Sequence, residues 1–210
     1  MTKTDMLVEL REILDESQNN PLWTPRSLER WLSEGQDKFC AETGFFKDSS
    51  NHTIPVLADT RLYSYSDRII RIVAVKRNGV PLTHFEGSGD FPPDNGGVPT
   101  QWRTDTDTGF IKLWPTPAAD ETLEMVVWRY ATTPLVNKDA QPEIPEQFRR
   151  ACVEYAAAKA YGIHDAEASN PKAAAEHWAE YKVYVDDGIT AFHNLHNTHV
   201  DVKPHPSYVV

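Results

Sequence analysis

Apolar positions repeat every three to four residues at both ends of the chain and alternate in its middle. That change of period predicts helices, then strands, then helices. The first helix is expected over about Asp5 to Ser17, with Leu7, Leu10 and Leu14 on one face and Met6 and Ile13 widening it. Asp5 is read as its N-cap, and Asn19-Asn20-Pro21 as its stop. A second helix starts at Thr24-Pro25, a capping hydroxyl followed by proline where the missing N–H does no harm. Leu28, Trp31, Leu32 and Phe39 form its apolar face, and Gly44 follows as a left-handed terminator.

The middle predicts short strands at Thr53–Leu57, Leu62–Ser66 and Ile69–Arg77. Asn78-Gly79 is a hairpin signal, because both residues tolerate the positive φ of a type I′ turn. Val80-Pro81-Leu82 returns as a short or edge strand. A long Gly/Pro-rich stretch, His84 to Pro99, is read as a functional or mobile loop. Thr100–Thr104 and Phe110–Trp114 form a second hairpin that Pro115-Thr116-Pro117 stops, and Leu123–Tyr130 is the last strand.

A third helix is expected from Pro145 or Glu146, with Phe148, Ala151, Cys152, Tyr155 and Ala158 on one face. The run Ala156-Ala157-Ala158 with Ala160 allows close approach of a neighbouring helix. Asn170-Pro171 starts a fourth, with the stripe Trp178, Tyr181, Val185, Ile189 and Phe192. Two prolines exclude a helix after about residue 197, so the tail is extended.

The expected fold class is therefore α+β. Helix pairs 1–44 and 145–196 make a helical bundle, 45–144 a central antiparallel β-rich insertion and 197–210 an extended tail, all in one structural unit.

Charge narrows the function. The net charge of −10 is spread along the chain, with residues 1–44, 45–144 and 145–210 each acidic. A nucleic-acid binder needs a clustered positive footprint. The nearest thing to one is Arg68, Arg71, Lys76 and Arg77, read as an exposed sheet face rather than a phosphate contact. No window approaches the ~18 uninterrupted apolar residues of a membrane span. The opening residues lack a signal-peptide core, so synthesis in the cytoplasm is expected.

Candidate chemistry is thin. His193, His196 and His199, spaced by three, drift around a helix instead of converging on a metal. Asp105 and Asp107 lack the rest of a calcium loop. Asp186-Asp187 and Asp165 with Glu167 read as surface charge, and Cys40 and Cys152 as buried reduced thiols. No nucleophile motif is present. No enzyme activity, cofactor or metal is expected. Of six tryptophans, Trp23 and Trp102 are expected to be the most exposed.

In order and spacing, several segments resemble one known family. They are Trp23-Thr-Pro-Arg-Ser-Leu28 leading to Phe39, Leu62-Tyr-Ser-Tyr65, and Ile72-Val-Ala-Val-Lys-Arg-Asn-Gly79. Further on come Gly109-Phe-Ile-Lys-Leu-Trp-Pro115-Thr-Pro117, Trp128-Arg-Tyr130 and Glu143-Ile-Pro145 with its Ala-rich helix. From about Leu7 to Val185 the chain is similar to the head–tail adaptor (connector) proteins of tailed bacteriophages.

The resemblance implies a structural virion protein at the head–tail junction. It implies a ring, commonly of twelve copies, that sits beneath the portal protein, extends the DNA channel and gives tail proteins a platform. DNA would pass through without specific binding. Lys203, Pro204, His205, Pro206, Tyr208, Val209 and Val210, in the tail, are candidate partner contacts. A runner-up reading is another phage tail-completion or assembly factor, and a third is a carbohydrate-binding module.

Overall fold

The computed structural model describes residues 1–15, 22–87, 89–93, 96–105, 109–132, 135, 139–163 and 170–196. Within them the fold is α+β, with four α-helices and two four-stranded sheets.

The first helix, α1 (Lys3–Ile13), starts earlier than the apolar pattern implies. Its cap is Thr2, not Asp5. The Thr2 hydroxyl accepts from the Asp5 N–H, and the Asp5 carboxylate accepts from the Thr2 N–H, a reciprocal capping box. The helix also ends before Ser17, since Asp15 has φ of +50°. The second, α2 (Pro25–Thr43), has the expected boundaries: the Thr24 hydroxyl accepts from Ser27 N–H, and Gly44 takes φ of +60°. A 3-10 turn, Glu146–Phe148, leads into α3 (Arg150–Tyr161). The fourth helix, α4 (Pro171–His196), is capped by Asn170, whose Oδ1 accepts from the Ala173 N–H.

One core serves all four helices. Met6 and Leu10 of α1, Leu28, Trp31, Leu32 and Phe39 of α2, and Tyr181 and Val185 of α4 close around α3. That helix is buried nearly all round, which is why its composition is alanine, not an amphipathic stripe. Two helix-interior glycines explain themselves by the same closeness. A Cβ on Gly35 would lie 3.0 Å from Cys152 Cα and 3.2 Å from its carbonyl oxygen, and one on Gly188 would lie 2.7 Å from the Phe39 ring.

Between α2 and α3 the chain builds a sandwich. One sheet has the order β1 (Lys47–Val56), β8 (Glu121–Arg129), β3 (Ile69–Arg77), β4 (Val80–Pro81). The other runs β2 (Leu62–Ser64), β7 (Phe110–Trp114), β6 (Gln101–Asp105), β5 (Thr83–His84). Their facing side chains share a second core: Ile54, Ile72, Val75, Leu123 and Val127 from one sheet meet Tyr63, Trp102, Ile111 and Leu113 from the other. Asn78 and Gly79, at φ of +50° and +78°, form the predicted hairpin turn, with Arg77 opposite Val80. Each edge of the first sheet carries a proline, Pro55 on β1 and Pro81 on β4.

Three expectations need correction. β1 begins at Lys47, six residues before Thr53, because a register break between Asp48 and His52 hides the pairing of Lys47 with Trp128 behind polar residues. The insertion is not wholly antiparallel, since β5 runs parallel to β6. Parallel neighbours need a crossover of a dozen or so residues. The Gly/Pro-rich stretch supplies it, and its Phe91 is buried against Phe85 and Trp114. Finally, Trp102 is only 2% exposed, because alternation along β6 turns it inward. Trp23 is half-buried, edge-on to Trp31 with centroids 5.5 Å apart.

The close contact of α2 with α3 is testable. Gly35→Val drives branched carbons into the Cys152 backbone and should lower stability by about 1–3 kcal/mol, several degrees in a thermal melt. Gly89→Ala, where a Cβ meets nothing within 4 Å, should leave the melt nearly unchanged.

Candidate functional site

The seam between helices and sandwich concentrates the polar chemistry of the described residues. Arg68, between β2 and β3, reaches across to α2 and donates from Nη1 and Nη2 to the two Asp37 carboxylate oxygens at 2.8 and 2.7 Å. It also donates to the Ala131 carbonyl at 2.6 Å and lies 5.0 Å from the Tyr130 ring centroid. A planar guanidinium suits such a fork, and a lysine would lose half of it.

Arg129, at the end of β8, is the second anchor. It donates to Glu143 at 2.6 Å, to the Tyr130 carbonyl at 2.9 Å and to Asp48 at 3.4 Å, and lies over the Phe46 ring. Glu143 also accepts from the Thr132 N–H and hydroxyl, while its own N–H donates to the buried Gln36 side chain on α2. The network thus ties β1, β8, the returning segment and α2 together. Burial alone would raise the Asp48 carboxyl, but hydrogen bonds from Ser50 and Asn51 and the charge of His52 hold its pKa down at about 2.

The predicted basic group is therefore largely occupied. Arg68 holds Asp37, Arg77 holds Glu121 at 2.5 Å, and Arg71 lies 5.4 Å over the Trp128 ring. Farther from the seam, buried Glu154 on α3 accepts from Arg150 at 3.2 Å and pairs with His177 Nδ1 of α4 at 2.7 Å. Tyr181 of α4 donates to Glu42 of α2 at 2.9 Å.

Cys40 and Cys152 are free and fully buried. Burial pushes the Cys40 thiol up to about 12 and raises Cys152 as well, which suits packing rather than nucleophilic attack. No group of three or more His, Cys, Asp or Glu among the described residues is placed to hold a metal. His193 is exposed near the end of α4; the side chain of His196 and all of His199 lie outside the described residues. Asp186 and Asp187 are exposed as expected, while Asp107, Asp165 and Glu167 lie outside the described residues. So do Lys203, Pro204, His205, Pro206, Tyr208, Val209 and Val210.

A family profile described as SU10 adaptor protein matches residues 1–198. The chain belongs to the SU10 adaptor protein family. No curated protein matches it. The match takes in every helix and strand described above and bears out the resemblance to phage head–tail adaptors. The adaptor accordingly has a structural, non-catalytic role, as a component of a phage virion that meets other head and tail proteins. Among its described residues, no helix is long and apolar enough to cross a membrane.

The Asp48 carboxylate makes the adaptor acid-sensitive. Asp48 has a folded pKa of about 2, below the ordinary 3.8. Its stabilisation is complete above about pH 4 and is lost as pH falls toward 2. An acid titration of stability should therefore fall in that window, with a shallower slope for Asp48→Asn. At neutral pH, Arg129→Met leaves Glu143 and Asp48 without their cation and should cost about 3 kcal/mol in a denaturant melt.

Proposed function

We propose that this adaptor works as a closed ring of identical copies, twelve as the resemblance implies, seated beneath the portal protein at the head–tail junction. The ring continues the DNA channel and gives tail proteins their platform. In this reading the helices form the bundle of the adaptor fold and the sandwich is an insertion in it. The observation that carries the proposal is the family match over residues 1–198.

Electrostatics support it. DNA has to slide through such a ring, so the lining should not release phosphate counterions by gripping the backbone. The net charge of −10 repels phosphate, and Arg68 and Arg77 are already engaged by carboxylates. The tail residues Lys203, Pro204, His205, Pro206, Tyr208, Val209 and Val210 fit the role of an extended segment that orders on a neighbouring protein.

Native mass spectrometry and negative-stain images of the chain mixed with its portal should show rings bound end-on. A protein that stays monomeric and ignores portal would overturn the proposal. Deleting Val202–Val210 should leave the thermal midpoint of the isolated chain unchanged while weakening portal attachment by about tenfold, or ~1.4 kcal/mol. Unchanged attachment would remove the tail from the interface.

A further inference from the structure

The outer face of the second sheet carries cations that the chain leaves short of carboxylates. Leu62 of β2, Lys112 of β7 and Arg103 of β6 stand abreast on three paired strands. Arg61, just before β2, and Arg103 both lie over the Phe91 ring, 5.4 and 5.9 Å from its centroid. Lys112 is ion-paired with Asp90 at 2.8 Å. Arg103 donates to the Gly89 carbonyl. Among the described residues, neither arginine has an ion pair with a carboxylate.

Arg61 Nε and Nη2 and Arg103 Nε are buried without an acceptor, sealed from any ligand. They matter as a measure of poor solvation. Both guanidiniums are half-buried, where water screens a charge weakly and an unpaired cation is costly. A carboxylate brought to their partly exposed rim lowers that cost through its field, without touching the sealed nitrogens. In a chain of net charge −10 this island is an exception, and a second copy is a ready source of carboxylates.

The matching surface is on α4. Glu176, Glu180, Val183 and Asp187 are spaced by four, three and four residues and so form one stripe. All four are exposed, and the stripe lies opposite buried Ala174, Tyr181 and Val185. Lys172 reaches Glu176 at 3.9 Å, and exposed Lys182 lies on a flank. Glu180 and Asp187 have no ion pair among the described residues. Val183 is 51% exposed and Leu62 43%, so each charged surface also offers an apolar side chain to cover.

A closed ring of identical copies needs two different patches that meet head to tail. We propose that the face formed by Arg61, Arg103 and Lys112 on one copy receives the α4 stripe of Glu180, Val183 and Asp187 on the next. Opposite charge steers the encounter and fixes its register, and Leu62 with Val183 gives the contact an apolar centre. The proposal rests on the ring reading and adds which surfaces of the chain meet.

Charge reversal tests it, read by native mass spectrometry of the full chain with portal, beside a thermal melt of each variant. Glu180→Lys with Asp187→Lys, both at exposed positions, should raise the concentration for half-assembly by at least about tenfold. Arg61→Glu with Arg103→Glu should do the same. Mixed together, the two reversed proteins set opposite charges at every contact and should form alternating rings, recognisable by mass. Rings from the α4 variant as readily as from the unmodified chain would overturn the proposal, even if the arginine variant does not fold. So would a mixture that stays unassembled although both components are folded. Duplex DNA retained by the chain and lost with Arg61→Gln and Arg103→Gln, while rings persist, would assign the island to phosphate instead. An unmodified chain that forms no ring with portal defeats the ring reading itself, whereas rings indifferent to reversal defeat this interface alone.

Discussion

The chain leaves its helices after Gly44 and comes back at Ile144, so the sandwich hangs on whatever holds those two crossings. Two arginines do this. Arg68 forks onto Asp37 of α2, and Arg129 gathers Asp48, Glu143 and the Tyr130 carbonyl. Both are partly screened from water, where a charge left alone costs more than a matched pair gains. That asymmetry makes the seam stiff: any tilt of sandwich against helices strips several charge-assisted bonds at once. Aromatic faces reinforce the geometry, with Tyr130 under Arg68 and Phe46 under Arg129. A protein whose work is to hold one shape between two larger machines needs this rigidity more than it needs a pocket.

Small residues do the corresponding work among the helices. Ala156, Ala157, Ala158 and Ala160 are fully buried on α3, Gly35 lets α2 meet the α3 backbone, and Gly188 of α4 leaves room for the Phe39 and Thr43 side chains of α2. Such surfaces have few rotamers and no slack. The polar contacts threaded through them, Glu154 with His177 and Tyr181 with Glu42, satisfy groups that would otherwise be orphaned in a dry core.

Local chemistry was legible in the sequence. Thr24-Pro25, Gly44, Asn78-Gly79 and Asn170-Pro171 all landed where their own φ preferences and hydrogen-bonding groups put them. The misreadings have physical causes as well. Thr2 and Asp5 cap the same helix end reciprocally, so pattern alone could not say which came first. Lys47 and Asp48 pair beyond a break in register, which destroys the alternation that marks a strand. The parallel pairing of β5 with β6, the burial of Trp102 and the partnership of Arg68 with Asp37 are set by tertiary position, which no short window contains. The mixed α+β class expected from the sequence is the one observed, and the candidate tail contacts lie outside the described residues.

Pro55 and Pro81 have a consequence for behaviour at high concentration. A sheet border recruits strangers by offering amide hydrogens to an incoming strand, and each of these borders is missing one. Copies of the chain crowded together in an infected cell are thereby hindered from zipping border to border into fibrils. Association is steered toward side-chain faces, whose fixed angles can close on themselves and stop.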